Sequence, residues 1–138
     1  MTKILITGGA GFIASSLANK LLSNKNYFII LVDNFLTGNA SNVPKSDRCV
    51  FFEIDVNDID KMRELMNNYN FDIVFHYAAV VGVRRTINNP ILVLQDIEGI
   101  KNILSLSVSN SVKKVFFSSS SEVYGEPVEL PMHETRTP

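Results

Sequence analysis

The sequence predicts an α/β fold, a doubly wound parallel sheet with helices on both faces. Short apolar runs without polar alternation recur along the chain: KILIT (3–7), FIILV (28–32), VFFEI (50–54), DIVFHYA (72–78) and KKVFFS (113–118). Runs of this kind belong to strands covered on both faces, the habit of parallel sheets. Segments of helical spacing separate them, and strand–helix alternation is the pattern of α/β folds. Right-handed crossovers then leave 3-2-1-4-5 as the expected strand order.

Each element has its own signal. KILIT is rich in β-branched residues and is stopped by GGAG (8–11). Residues 12–25 place Ile13, Leu17 and Leu21 on one helical stripe. FIILV ends at Asp33, and 34–47 is a loop by composition. VFFEI ends at Asp55, and 58–68 carries Ile59, Met62, Leu65 and Met66 at helical spacing. A long helix is expected over 89–111, opening near Pro90, a residue suited to a first helical turn. It has two apolar faces, Val93–Ile97–Ile100–Leu104 and Leu92–Ile103–Leu106. A wide apolar arc means burial on more than one side, either inside the monomer or against another subunit. After the fifth run comes SSSSEVYG (118–125). By composition this is a serine linker; by position, at a strand's carboxyl end, it is the rim of a binding crevice.

Composition narrows the classes. The chain has 138 residues, 46% hydrophobic and 20% charged, as in an ordinary globular domain. A net charge of −1 gives no attraction to nucleic acid or anionic lipid. No apolar run approaches a membrane span, and Met1 leads almost directly into a strand, leaving no room for a signal peptide. The single Cys49 forms neither an internal disulfide nor a metal knuckle and suits a reducing cytoplasm. His76 has no partner at metal-ligand spacing and reads as a packed, hydrogen-bonded histidine, so no metal site is expected.

Gly9-Ala10-Gly11-Phe12-Ile13-Ala14 matches G-x-G-x-x-G/A between a strand and a helix, the context that gives the pattern meaning. Glycine permits a tight turn and the close approach of a pyrophosphate. N–H groups at the helix N-terminus then meet the phosphate oxygens. Asp33 stands at the interval of about 20 residues expected for a ribose-binding acid. It would repel a 2′-phosphate, so NAD is expected over NADP. Asp55, ending the third strand, is placed to accept from an adenine amine with Val56 on the ring face; a loop-capping role is the alternative.

These residues resemble the extended short-chain dehydrogenase/reductase family, in its NAD-dependent nucleotide-sugar epimerase/dehydratase branch. ITGGAGFIA (6–14) resembles TGxxGxxG, with Gly8 and Gly11 matching and Phe12 and Ile13 following; Ala14 replaces the last Gly. VDNFLTGN (32–39) resembles the strand-two segment, where Asp33 and Asn34 would hold the adenosine ribose, with Thr37 and Gly38 beside them. EIDV (53–56) resembles the adenine contact and FHYAA (75–79) the H-x-A-A element, whose Ala78 and Ala79 would lie along the dinucleotide. Asp96 departs from the family's usual Asn and Ile100 from its Thr. Within SSSSEVYG, the resemblance implies that Ser120 hydrogen-bonds the sugar oxygen that exchanges a proton while hydride passes to the nicotinamide. Ser121 replaces a common Asp, a pattern closer to decarboxylases and some epimerases. Glu122 is then a general base, a substrate-positioning group or a structural acceptor. Arg84 and Arg85 steer a diphosphate or a sugar carboxylate, or form a helix-start surface pair.

The family's chemistry also needs Tyr-x-x-x-Lys. None of Tyr27, Tyr69, Tyr77 and Tyr124 is followed four positions later by Lys. The resemblance therefore implies an incomplete, Rossmann-type NAD-binding domain over 1–138, truncated before the catalytic Tyr-Lys helix and the substrate lobe. On that reading the fragment alone is inactive and its uncovered apolar surface favours a homodimer. A non-catalytic NAD-sensing module is the alternative.

Overall fold

The computed structural model describes residues 1–126 and 129–136, with Ser121, Glu122 and Arg136 described by their backbone alone. Five strands, β1 (Thr2–Thr7), β2 (Tyr27–Asp33), β3 (Cys49–Glu53), β4 (Ile73–His76) and β5 (Lys114–Phe117), form one sheet. All pairings are parallel and the order is β3-β2-β1-β4-β5, as the sequence predicts. The helices are α1 (Phe12–Leu22), α2 (Ile59–Tyr69), α3 (Val83–Asn88) and α4 (Pro90–Ser109).

The period-2 alternation of strand side chains divides the core in two. Leu5, Ile30, Val32 and Val74 face Met62 and Met66 of α2 and Ile103 and Leu106 of α4. Ile4, Ile6, Ile29 and Leu31 face Ala14 and Ala18 of α1. Both faces of β1 and β2 are closed at their centres, which is why residues 4–6 and 28–32 are apolar throughout. The order reverses between β1 and β4, and ligands bind at such a reversal, beyond the strands' carboxyl ends.

Several elements differ from expectation. The buried stripe of α1 is Ala14, Ser15 and Ala18, not Ile13–Leu17–Leu21; Ile13 is exposed, and Leu17 and Leu21 lie at the margin. Small residues let the helix axis approach the sheet closely. The helix ends at Leu22 because Arg48 takes over the carbonyls there. Its guanidinium donates to the oxygens of Leu22 (2.7 Å), Asn24 (2.9 Å) and Tyr27 (3.2 Å). β4 stops at His76 because the next two backbone N–H groups go to a side chain. The six-residue α3 carries Arg84 and Arg85 near its start; its side chains are mostly exposed, so no apolar period announces its extent.

In α4 the inward face carries Gly99, Ile103, Leu106 and Ser107. Ile97 and Leu104, on the other predicted face, are exposed along with Ile91 and Leu94. Among the described residues no helix is long and apolar enough to cross a membrane.

Candidate functional site

A cavity of about 970 Å³ opens at the carboxyl ends of the strands, from the glycine-rich turn to the serines after β5. The turn leaves β1 through Gly8, whose φ of +69° suits glycine. The turn's own amides are engaged. Gly9 N–H donates to the Val32 carbonyl (3.0 Å), Ala10 N–H to Asp33 Oδ2 (3.0 Å) and Gly11 N–H to the Gly8 carbonyl (2.9 Å). The first bond of α1 runs from Ser15 N–H to the Gly11 carbonyl. The donors left for a ligand are therefore those of Phe12, Ile13 and Ala14, all lining the cavity. The sequence reading placed the free amides at the helix N-terminus, and the three that remain are those of the first turn of α1.

Asp33, buried at the tip of β2, lines the cavity and also organises the turn. Besides Ala10 N–H it accepts Phe35 N–H on Oδ1 at 2.7 Å. Each carboxylate oxygen retains a lone pair for a further donor. Gly38 packs against this group rather than lining the cavity: a Cβ there would lie 2.7 Å from Ala10 Cβ and 2.9 Å from Asp33 Oδ1. Asn39 N–H (3.0 Å) and Asn42 Nδ2 (2.9 Å) donate to the Ala10 carbonyl, strapping the following loop to the turn. Asn39 closes the VDNFLTGN stretch with no role read for it, and no motif announced Asn42.

Asn34 and Thr37 line the same side. Asn34 Nδ2 donates to Asp55 Oδ2 (3.0 Å), and Asn57 N–H to Asp55 Oδ1 (2.8 Å). Val56 is fixed from α4: Asn102 Nδ2 donates to its carbonyl (3.0 Å), and Gly99 leaves room for its side chain. Across the reversal, Ala78 and Ala79 line the cavity, as do Ser118, Ser119 and Ser120. The side chain of Glu122 lies outside the described residues. Asp96 also lines the cavity, its carboxylate accepting Val80 N–H at 2.5 Å. Burial pushes its carboxyl above the usual range and the nearby Asp55 charge adds to this, although the bond from Val80 opposes both.

Thr7 and His76 tie β1 to β4 beneath the turn. Thr7 Oγ1 accepts N–H from Tyr77 and Ala78, both at 3.1 Å, and lies 2.8 Å from His76 Nδ1. With two donors already on the oxygen, the single hydroxyl proton must go to Nδ1, so the ring is neutral with its proton on Nε2. Burial lowers the His76 pKa to about 4.

The sign of the pH dependence follows. An unfolded histidine titrates near 6.5, so between pH 6.5 and 4 the unfolded chain binds the extra proton. Stability from this group is fully present above pH 6.5 and is lost as pH falls toward 4. The expected loss is about 2–3 kcal/mol, read from urea midpoints. His76→Asn, which keeps an acceptor near the Nδ1 position but does not titrate, should flatten that window. Asp58 and Asp72, lowered by hydrogen bonds from Lys61 and Lys113 respectively, act only below the usual carboxylate range.

Elsewhere, burial pushes the Cys49 thiol to about 11, far from a reactive thiolate. Among the described residues no three His, Cys, Asp or Glu side chains form a possible metal cluster.

Comparison with known proteins gives this geometry its family. Residues 4–138 match the model of the NAD dependent epimerase/dehydratase family. The chain belongs to that family. Among other epimerase-family relatives, it is 40% identical over 134 residues to a putative UDP-glucose 4-epimerase of Methanocaldococcus jannaschii, covering 95% of this chain and 42% of that protein. It is 39% identical to a UDP-N-acetyl-alpha-D-glucosaminuronate decarboxylase of Bacillus cytotoxicus, covering 90% of this chain and 38% of that one. The Thermus thermophilus UDP-glucose 4-epimerase, solved in complex with NAD, superposes with a TM-score of 0.87 at 31% identity, covering 99% of this chain and 44% of that one. The chain thus spans about two fifths of the length of these relatives.

Proposed function

We propose that this chain is the NAD-binding portion of an enzyme that epimerises, dehydrates or decarboxylates a nucleotide-diphosphate sugar. The observation that carries the reading is the buried Asp33 carboxylate, at the tip of β2, lining the cavity beside the glycine-rich turn. The cavity suits the cofactor: its volume lies in the usual range for small-molecule sites, and Gly11 presents no side chain to it. Bound NAD supplies the hydride acceptor for transient oxidation of the sugar.

The chain's own residues would act as follows. Gly8 and Gly11 bring the turn close to the diphosphate, and the N–H groups of Phe12 and Ile13 meet its oxygens. Asp33 and Asn34 hold the adenosine ribose, with Thr37 at the rim and Gly38 keeping the loop tight on Asp33. Asp55 and Val56 receive the adenine, and the backbone of Ala78 and Ala79 runs along the dinucleotide. Ser120 donates to or accepts from the sugar oxygen at the reacting carbon, and Glu122 orients the sugar or moves its proton. The exposed Ile91, Leu94, Ile97 and Leu104 of α4 form the contact with a second copy, giving a homodimer. The lone, partly buried Cys49 fits a cytoplasmic location.

Calorimetric titration of the 138-residue chain tests the cofactor. We expect binding of NAD and at least tenfold weaker binding of NADP, because Asp33 opposes a 2′-phosphate and no lysine or arginine lines the cavity among the described residues. Equal affinities, or tighter NADP, would sink the assignment of Asp33. The purified chain should turn over no UDP-sugar, since it carries no Tyr-x-x-x-Lys; turnover would overturn the division of labour proposed here.

A further inference from the structure

We propose that Phe35 is a positioning residue for the Asp33 carboxylate. Its ring, docked on Phe51, holds the loop after β2 in a left-handed turn that fixes Asp33 for a ribose hydroxyl. The inference rests on the ribose role given to Asp33 above and deepens it.

Among the described residues three other than glycine adopt a positive φ: Phe35 (+57°), Asn70 (+52°) and Ser111 (+54°). Asn70 caps α2 and Ser111 follows the cap of α4, places where helices commonly end in this conformation. Phe35 ends no helix, and it is the bulkiest of the three. An aromatic residue at positive φ is an outlier that persists only where its surroundings enforce it. Two contacts do so here. The Phe35 ring lies against that of Phe51, with centroids 5.1 Å apart and planes inclined at 33°. Phe51 sits in β3 opposite Leu31, two residues before Asp33 in β2. The Phe35 N–H then donates to Asp33 Oδ1 at 2.7 Å, a charge-assisted bond.

The consequence falls on Asp33. Ala10 N–H, from the glycine-rich turn, holds Oδ2 at 3.0 Å, and Phe35 N–H, from the loop, holds Oδ1. With one donor on each oxygen the carboxylate cannot turn about its own axis, and its remaining lone pairs keep fixed directions. With Ala10 alone it would be free to turn. Neither Phe35 nor Phe51 lines the cavity, so the pair acts on a ligand through Asp33 rather than by touching it. Glycine would supply the positive φ without strain. What it cannot supply is the ring that ties this turn to β3.

The test is calorimetric titration of the 138-residue chain, Phe35→Ala, Phe35→Tyr and Phe51→Ala. The ligands are NAD and its analogue lacking the 2′-hydroxyl of the adenosine ribose, and urea unfolding of each protein checks folding. The wild-type chain should prefer NAD by about tenfold or more, the worth of a hydrogen bond to a charged group. In Phe35→Ala the preference should shrink to about threefold or less through weaker NAD binding, while affinity for the analogue stays within about twofold, because only the pre-set direction of the carboxylate is lost. Phe35→Tyr keeps the ring and should keep the wild-type ratio. Phe51→Ala removes the other half of the contact from an edge strand and should repeat the loss, whether or not Phe35→Ala folds well.

A purely structural role predicts that both ligands weaken by the same factor. An unchanged ratio in Phe35→Ala and Phe51→Ala therefore overturns the proposal and leaves the ribose reading intact. Loss of the preference in Phe35→Ala but not in Phe51→Ala overturns the ring contact as its cause. A wild-type chain that binds NAD and the analogue equally, or neither at millimolar concentration, overturns the ribose reading itself, and the role of Phe35 with it.

Discussion

Thr7→Val should lower the stability of this domain by about 3–5 kcal/mol, although the two side chains have nearly the same shape. Thr7 is fully buried, and its hydroxyl serves Tyr77 N–H, Ala78 N–H and His76 Nδ1 at once. Valine leaves two donors and one acceptor without partners in a closed environment. Each such buried group costs about 1–3 kcal/mol, and local relaxation recovers part of the total. Thr7→Ser keeps the hydroxyl and loses only a methyl, so its expected cost is about 1 kcal/mol. Urea unfolding at pH 7.5 with an unchanged m-value separates the two variants. A Thr7→Val protein as stable as Thr7→Ser would show that the hydroxyl is not the link between β1 and β4. The same substitution should weaken dinucleotide binding, because Ala78 packs directly beneath Gly8.

The strand order was legible because a strand buried on both faces must be apolar along its buried centre, and β1 and β2 are so over residues 4–6 and 28–32. The turn and Asp33 were legible because glycine spacing and an acid at a fixed interval are local features. Other features were not local. The stripe of α1 was misread through Ile13, since periodicity marks apolar residues but not the small ones that govern how closely a helix lies on its sheet. Asp33 was read as a ligand group, with helix capping as the alternative; its bonds to Ala10 and Phe35 depend on a loop path that composition does not encode. His76 was read as packed and hydrogen-bonded, and it is, but its partner Thr7 is 69 positions away in the chain. Asp96 stood out in sequence only as a departure from a family pattern. Its bond to Val80 and its place in the cavity wall give that departure a physical meaning.

Gly8→Ala and Gly11→Ala should fail for different reasons, and the contrast separates the fold from the site. Gly8 has a φ of +69°, a conformation that costs an L-residue roughly 1–2 kcal/mol. A Cβ there would lie 2.9 Å from backbone atoms of Tyr77 and Ala78, which cannot swing aside as a side chain tip can. Overpacking of this kind adds about 1–3 kcal/mol. The expected loss is therefore about 2–5 kcal/mol, and the crevice should open between β1 and β4 with binding abolished. Gly11 has a φ of −76°, which alanine adopts freely, and its Cβ would meet only the Gly8 carbonyl at 3.0 Å. Its stability should fall by only about 1 kcal/mol, the low end for overpacking, because no conformational strain is added. Its affinity for NAD should nonetheless fall by at least tenfold, because the added methyl occupies the approach to the Phe12 and Ile13 amides. Urea midpoints and calorimetry on the same preparations decide the matter. A stable Gly11→Ala chain that binds NAD at wild-type affinity would mean that the diphosphate does not lie against this turn. The proposed placement of the cofactor would then have to be abandoned even though the fold stood.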